Sequence, residues 1–401
     1  MELLSPVGSQ EKLIYALAYG ADAVYCGGKN FSLRAKATNL TNRQLKWAVD
    51  YCHTRAKKIY ITVNIFAQNS DVQNLCTFLR FLQSIGVDGV IVSDMGVFSL
   101  CKTHCPDVPI FVSTQANVLS TQSAKMWLKL GAKRVILARE LSFDEASQIK
   151  KSLPDLEVEL FVHGAMCIAY SGRCLMSSFL TARSGNRGEC SHVCRWDFAV
   201  TERKRDGQYF DLDQDSYGSY IMNSKDLCLV EQMHKLHKAQ LDSCKIEGRM
   251  KSLYYVANTT RVYKRAIALA KAGKKANKAL FTELEKVSHR PYTTGFLFPQ
   301  KGESKQNYSS SAYIKTHQYL GKVIGKKDGF VEVDVRAKFV LGEQIEFIFP
   351  NLDDDFFYLV GGILEVKHGK TTAVEKSKPN TTVKLPLTKT IPEFGIIRKK
   401  I

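Results

Sequence analysis

The sequence lacks several features that define large protein classes. No apolar run in its 401 residues approaches the roughly 20 residues that a membrane-spanning helix requires, so we expect no transmembrane segment. The first residues contain no basic segment that leads into an apolar stretch, and we therefore expect a cytoplasmic protein in a reducing compartment. No G-x-G-x-x-G motif opens the first predicted helix, which argues against dinucleotide binding.

Acidic side chains are scarce relative to basic ones. The chain has 57 Lys and Arg residues against 39 Asp and Glu residues, a formal net charge of +18. Such an excess repels itself in a compact protein, so it favours a polyanionic partner such as RNA. A solvated basic surface without a partner is the alternative interpretation.

A repeated pattern fills the first part of the chain: an amphipathic helix, a glycine and a short apolar run. Gly20, Gly86 and Gly131 each follow a helical pattern, where glycine can adopt the left-handed conformation that ends a helix. Buried strands are predicted at Glu2–Ser5, Ala23–Cys26, Lys58–Asn64, Gly89–Ser93, Ile110–Ser113, Arg134–Ala138, Glu157–Val162 and Ser243–Glu247. Helices are predicted at Gln10–Ala18, Asn42–Thr54, Val72–Ile85, Ser120–Leu130, Ser142–Ser152 and Leu227–Ala239. Eight βα units in one chain are typical of a TIM-like (β/α)8 barrel of the α/β class.

The regular spacing breaks between the seventh and eighth predicted strands. There an insertion rich in Cys, Arg, Ser and Gly covers about residues 164–220. A long irregular segment in a compact domain is usually functional, and in a barrel it leaves from the strand end where active sites are built. We therefore predict a catalytic barrel domain over residues 1–300, with its chemistry at this insertion.

A second domain is predicted near the end of the chain. After a predicted helix at Leu253–Ala272, short alternating segments such as Phe330–Val335 and Gln344–Ile348 replace the helical pattern. This change predicts a small antiparallel β-barrel-like domain over residues 307–401. Its sequence carries no catalytic signature, and both a binding role and structural capping remain open.

Four of the eleven cysteines lie within the insertion, at Cys167, Cys174, Cys190 and Cys194. Thiolates in this pattern suit an iron–sulfur cluster or zinc, and zinc is the less favoured metal because the set contains no C-x2-C pair. The alternative is that these thiols are simply buried. Cys228 could replace Cys194 as the fourth ligand.

Four segments resemble the signatures of the collagenase-like peptidase U32 family. They are Glu2–Gly8, Ser113–Asn117, Glu159–Ser177 and Lys245–Ser252. The resemblance is strong over about residues 1–300 and weak over the C-terminal domain. The family name implies proteolysis, but H-E-x-x-H, G-x-S-x-G and an aspartic dyad are all missing. A nucleophilic pair of Cys167 with His163 conflicts with Cys167 as a metal ligand.

The resemblance implies a different chemistry as well. Better-understood members of this family are oxygen-independent hydroxylases that use an iron–sulfur cluster and prephenate to modify tRNA uridine, rRNA cytidine or a quinone precursor. Segment Gly188–Trp196 is most similar to the branch that makes 5-hydroxyuridine at the tRNA wobble position. The resemblance therefore implies a 4Fe–4S cluster, prephenate as co-substrate and tRNA or another RNA as partner. A collagenase-like protease is the alternative.

Candidate site residues follow from these expectations. Arginines recognise the two carboxylates of prephenate well, and His163 and Glu247 complete the set of candidate catalytic groups. The three candidate arginines are Arg139, Arg173 and Arg249, each of which could instead be an ordinary surface or ion-paired residue.

Other polar residues are predicted to contact the RNA. Asn64, Gln115 and Asn117 end barrel strands and could hydrogen-bond a flipped base, although capping of the next helix is the simpler interpretation. Lys245 is predicted to pair with Glu247 inside the barrel and to face the substrate. Arg34 and Lys36 are predicted to contact RNA phosphates.

Overall fold

The computed structural model describes residues 1–33, 39–166, 176–181, 183, 189–193, 199–201, 209–211, 225–299, 313–367 and 369–401. Six residues singled out above lie outside these ranges, and their predictions are therefore not addressed by the structure: Arg34, Lys36, Cys167, Arg173, Cys174 and Cys194.

Eight parallel strands close into a barrel, as the sequence predicts. They are β1 (Glu2–Pro6), β2 (Ala23–Gly27), β3 (Lys58–Val63), β4 (Gly89–Val92), β5 (Ile110–Val112), β6 (Arg134–Ile136), β7 (Glu157–Ala165) and β11 (Ser243–Ile246). Each strand pairs with its neighbour in sequence order, and β11 closes the ring by pairing with both β7 and β1. The TIM-like fold class is thus confirmed.

Helices alternate with the barrel strands, and further helices lie in the insertion and after the last barrel strand. They are α1 (Gln10–Ala18), α2 (Asn42–His53), α3 (Val72–Ser84), α4 (Met95–His104), α5 (Thr121–Leu130), α6 (Phe143–Ser152), α7 (Met176–Thr181), α8 (Met233–Lys238), α9 (Leu253–Lys271) and α10 (Lys278–Leu284), with short 3-10 segments at Asn69–Asp71, Thr114–Ala116, Val230–Gln232 and Leu352–Asp354. Helix α4 was not predicted from the sequence. No helix in the described part of the chain has the length and hydropathy needed to cross a membrane.

Local sequence explains where several helices begin and end. Ser9 caps α1 by accepting a hydrogen bond from the backbone of Lys12, and Thr41 forms a capping box with Gln44 at the start of α2. Gly131 ends α5 with φ of 101°, in the left-handed region that favours glycine. The predicted helix-ending role of this glycine is confirmed.

Two further strands extend the barrel sheet beyond β7. Strand β10 (Asp226–Cys228) pairs antiparallel with the end of β7, and β12 (Tyr292–Thr293) pairs with β10. The predicted helix at Leu227–Ala239 is therefore wrong over its first part, because its apolar residues serve a buried strand before α8 begins. Two short strands, β8 (Ala199–Thr201) and β9 (Tyr209–Asp211), form a separate hairpin within the insertion.

The C-terminal region folds as one antiparallel sheet, in agreement with its alternating sequence. Its strands are β13 (His317–Lys327), β14 (Phe330–Val335), β15 (Gln344–Ile348), β16 (Phe356–Leu359), β17 (Leu364–Lys367), β18 (Lys370–Ala373), β19 (Thr382–Pro386) and β20 (Ile396–Lys400). The order across the sheet is β16-β15-β20-β13-β14-β19-β17-β18. This sheet has its own apolar core, while Ile348 and Ile396 pack into the core of the barrel.

Candidate active site at the barrel mouth

A polar cavity lies at the carboxyl ends of the barrel strands, where (β/α)8 enzymes place their active sites. The cavity is partly open to solvent, and its free volume is about 40 Å³. Polar residues on its wall come from β3, β5, β11 and the segments that follow them: Thr62, Asn64, Ser113, Thr114, Gln115, Lys245, Glu247 and Arg249. Five of the predicted site residues, Asn64, Gln115, Lys245, Glu247 and Arg249, therefore meet in one cavity.

Arg249 is fixed in the wall of this cavity. Its guanidinium donates to the hydroxyl of Ser32 at 2.8 Å, to the hydroxyl of Thr62 at 2.7 Å and to the amide oxygen of Asn39 at 3.4 Å. The side chain is only 3% exposed. A buried guanidinium held on three sides is pre-organised to receive an anion or a carbonyl oxygen.

Asn64 and Gln115 form a hydrogen-bonded chain across the mouth. The amide oxygen of Asn64 accepts from the backbone N–H of Leu33 at 3.2 Å, and its amide nitrogen donates to the amide oxygen of Gln115 at 3.4 Å. The same oxygen of Gln115 accepts from the Ser113 hydroxyl. These two amides therefore face the cavity rather than cap a helix.

Asn117 takes a different position from its two predicted companions. It ends the 3-10 segment Thr114–Ala116 with φ of 57° in the left-handed region. Its amide oxygen is buried and has no hydrogen-bond partner among the described residues. Asn117 is absent from the cavity wall described above, so the structure does not group it with Asn64 and Gln115.

Lys245 begins a chain of buried charges that runs into the barrel. Its ammonium contacts Glu159 at 3.0 Å, and Glu159 also accepts from Arg134 at 2.8 Å. The same guanidinium nitrogen of Arg134 also contacts Glu2, at 2.7 Å. The ion-pair partner of Lys245 is thus Glu159, which corrects the predicted pair with Glu247.

The charges in this chain shift one another. Burial lowers the pKa of the Lys245 ammonium, and Glu159 opposes that effect. Burial alone would raise the pKa of Glu159, but Lys245 and Arg134 bring it below its ordinary value. The ammonium of Lys245 also lies 4.3 Å from the centre of the Tyr25 ring, which faces the same cavity.

Glu247 and Arg139 are the next two predicted site residues near the cavity. A carboxylate oxygen of Glu247 accepts from the Tyr25 hydroxyl at 3.2 Å. Arg139 donates to the backbone oxygen of Ala165 and lies over the Phe161 ring, 4.0 Å from its centre. It lines a smaller, mostly apolar cavity with about 20 Å³ of free volume next to the main one, so Arg139 and Arg249 face different spaces.

His163 lies on the far side of β7 in an aromatic pocket. Its Nδ1 is 3.3 Å from the Tyr263 hydroxyl, and its ring also packs against Tyr255 and Tyr292. Burial, with smaller effects from Lys251 and His289, lowers the pKa of His163 to about 3. A neutral imidazole outside the cavity wall fits a positioning role better than acid–base catalysis on a bound substrate.

Two of the cysteines proposed as ligands fall within the described residues. Cys190 is half-buried, and its neighbour Ser191 is held by the Ser177 hydroxyl at 3.0 Å. Cys228 is buried in β10, where its sulfur accepts a hydrogen bond from Tyr263. Burial raises the pKa of Cys228 to about 12, so this thiol is neutral in the absence of a metal ion.

The described residues contain no group of three or more His, Cys, Asp or Glu side chains arranged to hold a metal ion. Of the four cysteines proposed to hold a cluster, only Cys190 lies in the described part of the chain, where it is half-buried on irregular backbone, so the proposed ligand set stays a prediction.

Sequence reasoning missed Glu159, Arg134 and Tyr25 as parts of the site. All three lie inside predicted strands, which were identified from their apolar neighbours. A charged residue in a strand that is buried on both faces needs a partner, and that was the available signal for Glu159 and Arg134. No comparable signal distinguishes Tyr25.

The fold and the site together define a (β/α)8-barrel protein with a polar, cation-lined cavity at its carboxyl-terminal mouth. Profiles of two sequence families match the chain: "Peptidase family U32" over residues 8–307 and "Peptidase family U32 C-terminal domain" over residues 315–398. The chain therefore belongs to peptidase family U32, as its signature segments indicate.

Three relatives illustrate the range of the family. The chain is 37% identical to "tRNA hydroxylation protein P" of Escherichia coli, over 88% of this chain and 87% of that protein. It is 35% identical to "tRNA hydroxylation protein P1" of Bacillus subtilis, over 99% and 94%. It is 28% identical to "Collagenase" of Porphyromonas gingivalis, over 96% and 94%. Identity is thus higher to the two relatives named for tRNA hydroxylation.

Proposed function

We propose that the protein is a tRNA-hydroxylating enzyme that converts uridine at the wobble position to 5-hydroxyuridine. The observation that carries this proposal is the similarity to tRNA hydroxylation proteins over both domains, which reaches 99% of this chain. The net charge of +18 suits a polyanionic substrate.

The cavity supports the same reaction class. A base inside an RNA stem or stacked loop must swing out to reach the floor of a barrel, and a pocket that receives it reads its edge by hydrogen bonds. Asn64, Gln115 and Lys245 supply polar groups for such an edge, and Leu33 and Phe161 supply apolar surface.

An iron–sulfur cluster and prephenate form part of this proposal. The cluster would be held by Cys167, Cys174, Cys190 and Cys194. Of these four residues, only the half-buried Cys190 lies within the part of the chain that the structure describes. Such a cluster supplies one-electron chemistry that amino-acid side chains lack. The dicarboxylate prephenate would use arginines, for which Arg249 in the main cavity and Arg139 in the adjoining one are the described candidates.

Proteolysis is the second candidate function, favoured by the family's name and by the collagenase relative. A Cys–His mechanism needs a histidine that can take a proton from a thiol. His163 has its pKa lowered to about 3 by burial and contacts a tyrosine hydroxyl at 3.3 Å. This environment favours the hydroxylase over the protease.

A deletion strain tests the two candidates. Transfer RNA nucleosides from the deletion strain, and from the same strain carrying the wild-type gene, would be compared by mass spectrometry. We expect 5-hydroxyuridine and its derivatives to be lost and then restored. Unchanged nucleosides, together with cleavage of denatured collagen by the purified metal-free protein, would replace the hydroxylase by the protease.

A further inference from the structure

The orientation of the Gln115 amide is determined by the hydrogen bonds around it. A backbone N–H can only donate, so the contact from Leu33 identifies the oxygen of the Asn64 amide. The amide nitrogen of Asn64 then faces Gln115 and requires an acceptor there, at 3.4 Å. A reversed Gln115 would place two amide nitrogens against each other, so its oxygen must point to Asn64.

The Ser113 hydroxyl completes this arrangement. It donates to the same oxygen of Gln115, which therefore accepts two hydrogen bonds. The amide nitrogen of Gln115 is left with two N–H donors and has no hydrogen-bond partner among the described residues. Gln115 itself is half-buried and lines the cavity. The mouth thus presents a donor that is fixed by the contacts of Gln115 with Asn64 and Ser113.

We propose that the Gln115 amide nitrogen donates to the C4 carbonyl oxygen of the target uracil and so selects uracil over cytosine. Uracil carries an acceptor at C4, whereas cytosine carries an amino group that donates. Two donors facing each other leave both unsatisfied in a desolvated pocket, and sites of this kind reject the wrong partner strongly. This inference rests on the proposed function, since it names the base that the same cavity receives.

Gln115→Glu changes the polarity of this contact with little change of shape. One carboxylate oxygen can still accept from Asn64 and Ser113, so the internal chain is kept. The other oxygen replaces the donor by an acceptor. The matched control is Gln73→Glu, the same substitution at an exposed position in the first turn of α3, where a carboxylate is tolerated.

The test uses the deletion strain, complemented with wild type, Gln115→Glu or Gln73→Glu. Each strain expresses two reporter tRNAs that carry uridine or cytidine at the target position, and 5-hydroxyuridine and 5-hydroxycytidine are measured in each. We expect Gln115→Glu to lower the ratio of the uridine to the cytidine product at least about tenfold, the effect of one hydrogen bond. Gln73→Glu is expected to keep the wild-type ratio.

Protein amount and iron content of each variant would be measured in parallel. An unchanged ratio in an intact Gln115→Glu protein overturns the inference, because a residue that only supports the shape of the mouth affects both bases alike. Loss of both products in an intact protein overturns it for the same reason.

A variant that does not accumulate would be replaced by Gln115→Met, which removes the donor without adding charge and is expected to lower the same ratio. Failure of the wild-type gene to restore either product would instead count against the proposed function.

Discussion

The two sides of α9 bury polar groups in opposite ways. One side, together with α10, meets the C-terminal sheet, where Arg398 contacts Glu283 at 2.6 Å and Glu346 at 2.8 Å. Arg261 on α9 also contacts Glu283, at 2.6 Å. The other side presents Tyr263 to the neutral pocket of His163 and Cys228.

The difference lies in whether burial is compensated by opposite charge. At the domain junction Arg398 and Arg261 lower the pKa of Glu283 to about 2, although burial acts to raise it. In the pocket, burial dominates, so the pKa of His163 falls to about 3 and that of Cys228 rises to about 12. One helix therefore supports an ionised junction that joins the domains and a neutral pocket beside the active site.

Arg398→Met should have the largest effect, because it leaves two buried carboxylates without their main partner. We expect a loss of about 3–5 kcal/mol in the free energy of unfolding, measured by urea denaturation. Arg336→Met is the matched control, since its ion pair with Asp334 is half-exposed, and it should cost at most about 1 kcal/mol. Equal effects of the two substitutions would mean that the junction does not stabilise the fold.

The neutral pocket should make stability depend on pH. In the unfolded chain His163 takes up a proton below its ordinary pKa of 6.5, whereas in the folded protein it stays neutral down to about 3. The contribution of the neutral His163 to the free energy of unfolding is therefore present above the pKa of the unfolded chain, and it is lost as the pH falls from about 6.5 towards 3. Between about pH 7 and pH 5 the loss should be about 2 kcal/mol.

His163→Gln tests this directly, because it removes the titrating ring. The variant is expected to be less stable at neutral pH but to lose less stability than wild type as the pH is lowered over the same range. Parallel pH profiles of the two proteins would show that His163 is not held neutral.

Cys228→Ser should have a smaller effect on the free energy of unfolding. It would also decide whether Cys228 is the fourth ligand of the proposed cluster. The hydroxyl can accept the hydrogen bond from Tyr263, so we expect a loss of about 1 kcal/mol. Iron content after anaerobic purification should stay near that of wild type, whereas Cys190→Ser should lower it sharply. Loss of iron from a folded Cys228→Ser protein would make Cys228 a ligand and refute its assignment to the neutral pocket.

Lys286→Ala should have the smallest effect of the four. Lys286 contacts Glu283 and Glu346 at the rim of the junction, but its side chain remains 22% exposed. We expect a loss of at most about 1 kcal/mol, which should shrink further at high salt. A loss as large as that of Arg398→Met would show that position in the cluster matters less than the number of charges.

Much of the barrel could be predicted from short stretches of sequence. The bounds of α1, Gln10–Ala18, are those predicted, because a serine cap and the apolar spacing lie within the helix itself. Asn64 and Gln115 were predicted at the ends of barrel strands, and the structure places both on the cavity wall, since parallel strands end at the same side of the barrel. Strand β10 was predicted as helix because a short apolar run fits both structures.

The sequence by itself determined the eight barrel strands and some of the polar residues at their ends, such as Asn64 and Gln115, because periodicity, caps and strand ends are encoded within a few neighbouring residues. Only the tertiary structure decided which charges meet: Lys245 pairs with Glu159, 86 positions away, and Arg398 with Glu283, 115 positions away. It also decided which way the Gln115 amide points. Partners so distant in the chain are selected by packing of whole elements, and no local pattern records that choice.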